Sequence, residues 1–266
     1  MTGTVFLVGA GPGAVDLLTL RAARMLERAD IVFYDALVPD EVLFLSKNSL
    51  KIKVGKRSGR YSTAQTFINK QLADAVRKHE VVVRLKGGDP MLFGRAHEEI
   101  SYLKKKRVRF EVVPGITAAL AASADLGVSL TRRGSARSVA FLTTRTAPGE
   151  RPNEWIKAAL AADTAVIYMG AGEADAIAQA LIAAGKSSAT PVALVENASL
   201  PTVRAFAGTL AQLPALAARC GSGPVAILLG EVVRDSAIIA AWPNEQSSSS
   251  PTARATRTGR ARSSSS

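Results

Sequence analysis

The 266-residue chain has one cysteine, Cys220, and two histidines, His79 and His97. No intrachain disulfide can form, and neither histidine has a cysteine or histidine neighbour at zinc-site spacing, so no metal is expected. Such sparse cysteine use implies a reducing cytoplasm. Aromatic residues make up only 5% of the chain, too few for the interleaved platforms on which nucleic-acid bases stack. No apolar run approaches the ~20 residues that a membrane span needs. The first residues lack the basic segment and long apolar core of a secretory leader. Neither a membrane nor a nucleic acid is therefore expected as a partner.

What is present in excess is positive charge, a net +12. Residues 244–266 hold four arginines against Glu245, a net +3, which leaves +9 on the rest. A basic body points to an anionic partner: a nucleic acid, a membrane surface or a polyanionic small molecule. The nucleic-acid reading rests on charge alone, because no binding motif accompanies it. The terminal stretch is rich in Ser, Thr, Arg and Gly without apolar periodicity and is expected to be a disordered tail.

The first half alternates apolar β-type runs, at 4–8, 31–34, 51–54, 81–85 and 109–113, with amphipathic stretches at 16–27, 40–45, 64–78 and 94–105. That rhythm predicts a mostly parallel sheet with helices on its faces. Asp16 is expected to cap the first helix, and Ser62 or Thr63 the one running to Lys78. A helical, alanine-rich stretch at 115–130 leads to the polar run TRRGSAR, where the boundary between two α/β domains is expected, 1–131 and 132–243. The second half repeats the alternation, with strands at 138–143, 165–169, 191–195, 202–207 and 225–229 and helices at 155–161, 174–184 and 210–217.

Three glycine loops follow strands of the first half: GAGPGA, RLKGGDPMLFGR (Arg84 to Arg95) and VVPGITAAL. Loops at the C-terminal ends of parallel strands mark the binding crevice of an α/β sheet. Gly9, Gly11 and Ala14 satisfy the G-x-G-x-x-A form of a dinucleotide fingerprint, and Asp35, 21 residues further on, could bind a ribose. Against an NAD site, Pro12 removes a backbone N–H where a pyrophosphate wants donors, and no hydride-transfer constellation is evident. An NAD(P)-dependent oxidoreductase and an enzyme using another small molecule both stay open on spacing alone.

The ordered series GAGPG with LLTL, YDALV, VGKR, RLKGGDPMLFGR, VPGIT, AVIYMG, TPVALVENAS and GPVAILLGEVV resembles the tetrapyrrole methylases. Within them it is most similar to the uroporphyrinogen-III C-methyltransferase branch, which makes precorrin-2. The likeness runs from about Val5 to Val233. It implies a two-domain α/β fold, each domain a mixed or mostly parallel sheet flanked by helices, with the active-site cleft between the domains. It implies S-adenosylmethionine as methyl donor, uroporphyrinogen III as substrate and a homodimer. A methylase acting on a later corrin precursor is the nearest alternative.

By motif position, the resemblance implies a cofactor pocket lined by Pro12, Gly87, Gly88, Asp89, Leu92, Thr117, Ala118, Met169, Ala198 and Ala226. Glycines let backbone approach a ligand and expose N–H groups to it; Met169 and Leu92 offer apolar walls. The resemblance makes Asp35 a proton acceptor and Lys56 a proton donor. The eight carboxylates of the substrate would explain the basic body, with Arg57, Arg60, Arg84, Lys86, Arg95, Arg132 and Arg133 as candidate partners. Two places depart from the family pattern. SLTRRG puts Arg132 where the family usually has the histidine of P-L-T-H-R, and TTRT (Thr143 to Thr146) stands where T-G-H is common.

Overall fold

A computed structural model describes residues 3–54, 63–146 and 154–236. Lys56, Arg57, Arg60, the expected caps Ser62 and Thr63, and the 244–266 tail fall outside the described residues or have no described side chain. The first sheet has the order β3 (Leu50–Lys53), β2 (Ile31–Tyr34), β4 (Val81–Lys86), β1 (Thr4–Gly9), β5 (Arg109–Val113). All four of its pairings are parallel. A parallel sheet is covered on both faces, which is why IVFY and VVVRLK are nearly continuous in apolar residues rather than alternating.

Successive side chains point to opposite faces of a strand. Val5, Leu7, Ile31, Phe33 and Val82 therefore share one core with α3 (Thr63–Ala75) and α4 (Ala96–Lys105), through Ile68, Leu72 and Leu103. Val8, Val32, Val83 and Leu85 share the other with α1 (Leu20–Glu27) and α2 (Asp40–Leu43), through Ala22, Leu26 and Val42. The helix after β1 and the helix after β4 thus lie on opposite faces, although the two strands are neighbours. Their loops diverge and open a crevice at that switch point.

The second sheet has the order β6 (Val139–Thr143), β7 (Thr164–Tyr168), β10 (Val225–Leu229), β8 (Pro191–Glu196), β9 (Arg204–Thr209). Only β6 and β7 pair in parallel, so this sheet is mixed. The short connection between β8 and β9 has no room for a crossover and turns the chain back antiparallel. Helices α6 (Trp155–Ala161), α7 (Ala174–Ala183) and α8 (Leu213–Ala217) cover one face. The other face is covered by α5 (Ala118–Asp125) through Ala119 and Ala122, although α5 follows the last strand of the first sheet. No helix among the described residues is long and apolar enough to cross a membrane.

Local chemistry moves several boundaries. The helix expected over 16–27 is a 3-10 turn, Val15–Leu17, followed by α1. The cap is Thr19 rather than Asp16: Thr19 is extended, and its Oγ1 accepts the Ala22 N–H at 3.1 Å. Losing that acceptor costs about 1 kcal/mol, so Thr19→Ala should lower the unfolding free energy by that amount, read as a lower urea midpoint at unchanged slope. The helix expected over 115–130 is only α5, because Thr117 is extended before it and Gly127, at φ +65°, follows it.

Candidate active site

The three glycine loops meet at the C-terminal edge of the first sheet, and they do so backbone against backbone. A Cβ on Gly9 would lie 2.6 Å from both Cα and N of Gly115 and 2.7 Å from the Gly88 carbonyl oxygen. Gly11 and Gly88 exchange two hydrogen bonds: the Gly11 N–H donates to Gly88 at 3.2 Å, and the Gly88 N–H to Gly11 at 2.7 Å. Asp89 ties the third loop in, accepting the Gly115 N–H at Oδ2 (2.9 Å) and the Met91 N–H at Oδ1 (2.8 Å). The N–H of Gly88 is consumed by Gly11 and is not offered to a ligand, contrary to the sequence expectation. What this loop does offer is space, since a Cβ on Gly87 or Gly88 would meet nothing closer than 3.4 Å.

The loops of the second sheet close over the first. The Ala14 N–H donates to Ser199 Oγ at 3.1 Å, and a Cβ on Gly13 would meet the Leu200 side chain at 2.8 Å. Ser199 in turn donates its N–H to Asp125 Oδ2 at the end of α5 (2.8 Å). Tyr168, ending β7, shares a 2.6 Å hydrogen bond with Thr117 Oγ1 and accepts the Ala119 N–H. Burial pushes the Tyr168 pKa up against those two hydrogen bonds, so the neutral phenol is the state present. Its ring lies 5.1 Å from that of Phe93 and 6.2 Å from that of Phe141. Phe93, Met169 and Ser199, all non-glycine, hold positive φ (52°, 58° and 70°). Such backbone costs of order 1–3 kcal/mol per residue and collects where loops are forced around a functional site.

The third feature is a buried charge network on the α3/α4 face of the first sheet. Along β4, Val82 is followed on the same face by Arg84 and Lys86, so the apolar core gives way to two cations near the loops. Arg84 donates from Nε to Glu99 Oε1 (2.9 Å), from Nη2 to Asp35 Oδ1 (2.6 Å) and from Nη1 to the Leu85 carbonyl. Lys86 Nζ donates to both oxygens of Glu99 at 3.1 Å, and Gln65 Nε2 donates to Oε1 at 3.2 Å. The Glu99 side chain is wholly buried and that of Arg84 is 3% exposed, whereas Asp35 is 28% exposed. Burial alone would lower the Arg84 pKa, but the carboxylates of Asp35 and Glu99 more than offset it and leave it raised. Burial, then the Arg84 charge, pushes the Lys86 pKa down against the pull of Glu99 and Asp35.

The sequence-derived residues are distributed unevenly around this site. Gly87, Gly88, Asp89, Leu92 and Pro12 sit on the two switch-point loops. Thr117 and Ala118 sit at the start of α5, and Met169 follows Tyr168 and is 43% exposed. Ala198 and Ala226 are buried in the core beneath, with Ala226 paired to Tyr168 across the sheet. Arg84 and Lys86, expected to meet substrate carboxylates, are instead turned inward and paired with Glu99. A guanidinium 3% exposed inside a helix-covered face, held by two carboxylates and a carbonyl, is not presented to a large anion. Arg95 makes a two-pronged pair with Glu98 at 2.6 and 2.9 Å, and Arg132 pairs with Asp235 beside a tight turn closed on Ala136. Lys56 and Arg57 lie outside the described residues.

Glu99, Tyr168, Phe93 and Ser199 were not singled out from the sequence. Glu99 did carry a signal: in α4 it shares the buried phase of Ala96 and Leu103, where an acid needs a partner. The contact of Thr117 with Tyr168 spans 51 positions and had no local signature.

A family model described as tetrapyrrole (corrin/porphyrin) methylases matches residues 4–214. A siroheme synthase of Aeromonas hydrophila is 46% identical over 232 residues, covering 87% of this chain and 49% of that protein. The chain thus spans about half the length of the curated relatives it matches. Among solved structures, the uroporphyrin-III C-methyl transferase of Thermus thermophilus complexed with S-adenosylhomocysteine is 40% identical. It has a TM-score of 0.76, with 87% of this chain and 99% of that one covered. The native form of the Thermus enzyme gives 38% identity and the same TM-score over 94% of its length. With four-fifths of its length matched by one family model, and three glycine-loop motifs meeting at one sheet edge, the chain belongs to the tetrapyrrole methylases.

Proposed function

We propose that the chain transfers methyl groups from S-adenosylmethionine to C2 and C7 of uroporphyrinogen III, giving precorrin-2 by way of precorrin-1. The observation that carries this reading is the 38–40% identity to uroporphyrin-III C-methyl transferases over nearly their whole length, one of them in complex with S-adenosylhomocysteine. The half-length match to siroheme synthases supports a tetrapyrrole substrate and sirohaem as a destination of the product; a cobalamin-type tetrapyrrole is the other destination open to precorrin-2. Two sheets, each with its own pair of cores, support a division into two domains, with α5 packed on the C-terminal side.

The residues present fit the cofactor. Gly87 and Gly88 leave room that any side chain would fill. Met169 and Phe93 are exposed apolar surface beside the partly buried phenol of Tyr168. Pro12, Asp89, Leu92, Thr117, Ala118, Ala198 and Ala226 complete the proposed pocket. When bound, S-adenosylmethionine supplies an electrophilic methyl on a sulfonium. The macrocycle carbon is itself the nucleophile, so the chain must align it, exclude water and move protons. Asp35, at the end of β2 and the most exposed member of the charge network, accepts the proton that leaves the methylated ring, and Lys56 donates. Arg57, Arg95 and Arg132 are retained as cations for the substrate's carboxylates, Arg95 and Arg132 by exchanging their present acidic partners.

The test is incubation with uroporphyrinogen III and labelled S-adenosylmethionine, counting methyl groups on the macrocycle. Two per ring are expected, and no transfer would overturn the reading. Asp35→Asn should bind S-adenosylhomocysteine nearly as tightly as the parent while turnover falls at least about tenfold, roughly 1.4 kcal/mol in the barrier. Unchanged turnover would remove Asp35 from proton transfer.

A further inference from the structure

The charge network is centred on a carboxylate with no assigned part in the reaction, Glu99. It is wholly buried on α4, and its carboxylate takes hydrogen bonds from Arg84, Lys86 and Gln65. An isolated carboxylate in such a place would be strongly disfavoured, and even a paired one is often no more stabilising than an apolar residue of the same shape. Stability by itself therefore gives little reason for two carboxylates and two cations at this position. Geometry gives a better one. Arg84 is a planar fork with donors in fixed directions. Glu99 engages Nε and the Leu85 carbonyl engages Nη1, which leaves Nη2 aimed at Asp35 Oδ1, 2.6 Å away. Lys86, clamped by both oxygens of Glu99, fixes that carboxylate from the other side.

We propose that Glu99 is a positioning residue for the methyl-transfer reaction: by orienting the Arg84 guanidinium it holds the Asp35 carboxylate where it meets the substrate proton. Glu99 touches neither the crevice nor a ligand, being 0% exposed. Its whole effect runs through Arg84. Helix α4 thereby sets the chemistry of a residue at the end of β2, 64 positions earlier in the chain. The role rests on the proposed function, since it needs Asp35 to handle a proton.

A double-mutant cycle tests it. Glu99→Gln keeps the shape of the side chain and removes its charge. It is expected to lower kcat at least about tenfold while the KM for uroporphyrinogen III and the Kd for S-adenosylhomocysteine change less than about twofold. In an Asp35→Asn background the same substitution should cost less than about twofold, because the group it positions is gone. Glu99→Asp, which keeps the charge but retracts it, should recover part of kcat, and it replaces Glu99→Gln in the cycle if that variant does not fold. Losses that multiply in the double mutant, or a fall confined to cofactor affinity, would overturn the positioning role and leave the methyltransferase reading standing. Absence of methyl transfer by the unmodified chain would remove both together.

Discussion

Gly9→Ala is expected to lose both stability and cofactor affinity, although it adds a single methyl group. The new carbon would sit 2.6 Å from two backbone atoms of Gly115 and 2.7 Å from the Gly88 oxygen, all belonging to loops that define the crevice. Carbon atoms need about 3.5 Å, and no flexible side chain is available to move aside. The strand cannot shift either, because Gly9 is paired with Lys86 and Ala10 donates its N–H to Lys86 at 2.7 Å. Overpacking of this kind costs roughly 1–3 kcal/mol. Relief must come from parting the three loops, which breaks the Gly11–Gly88 hydrogen bonds. The measurements are urea unfolding and calorimetric titration with S-adenosylhomocysteine, with affinity falling at least about tenfold, or ~1.4 kcal/mol. Binding at parental affinity would show that the loop junction does not shape the pocket. Gly172→Ala is the control, since nothing lies within 4 Å of its Cβ position.

Arg84→Met is expected to be strongly destabilising. Methionine fills much the same volume but leaves Glu99, wholly buried, facing only Lys86 and Gln65. Asp35, being 28% exposed, can turn to water, whereas Glu99 cannot. Removing one partner of a buried ion network costs about 3–5 kcal/mol. At ~2–4 °C per kcal/mol for a chain of this size, the melting temperature should fall by roughly 10 °C. Arg84→Met/Lys86→Met/Glu99→Leu removes the two buried cations together with the carboxylate they share and should recover much of that loss without recovering turnover. A melting temperature within about 2 °C of the parent for Arg84→Met would show that the network contributes little to folding.

Much of the architecture was legible in order and type. Three strands of the first sheet, TVFLVG, IVFY and VVVRLK, were readable as largely apolar stretches, and the glycine loops marked the edge of that sheet at which they meet. The strand at 225–229 and the helix at 155–161 agree with the structure to the residue. Helix starts were less secure. Thr19 rather than Asp16 caps α1 because what counts is which side-chain oxygen reaches a free N–H, and that depends on the extended turn before the helix.

The amino-acid sequence alone determined the family, the parallel first sheet and the placing of three glycine loops after its strands, because these depend on local runs and on motif order. Tertiary structure alone decided the rest. It turned Arg84 and Lys86 from surface cations into the interior of a charge network, because the alternation of β4 points them under α4. It put α5 on the second sheet and made three of that sheet's four pairings antiparallel. It also gave the glycines their reason. Gly9 and Gly115 are glycine because two backbones touch there, while Gly87 and Gly88 are glycine where space is left open. Spacing cannot separate those cases, because the distance between two loops is set by the sheet that carries them.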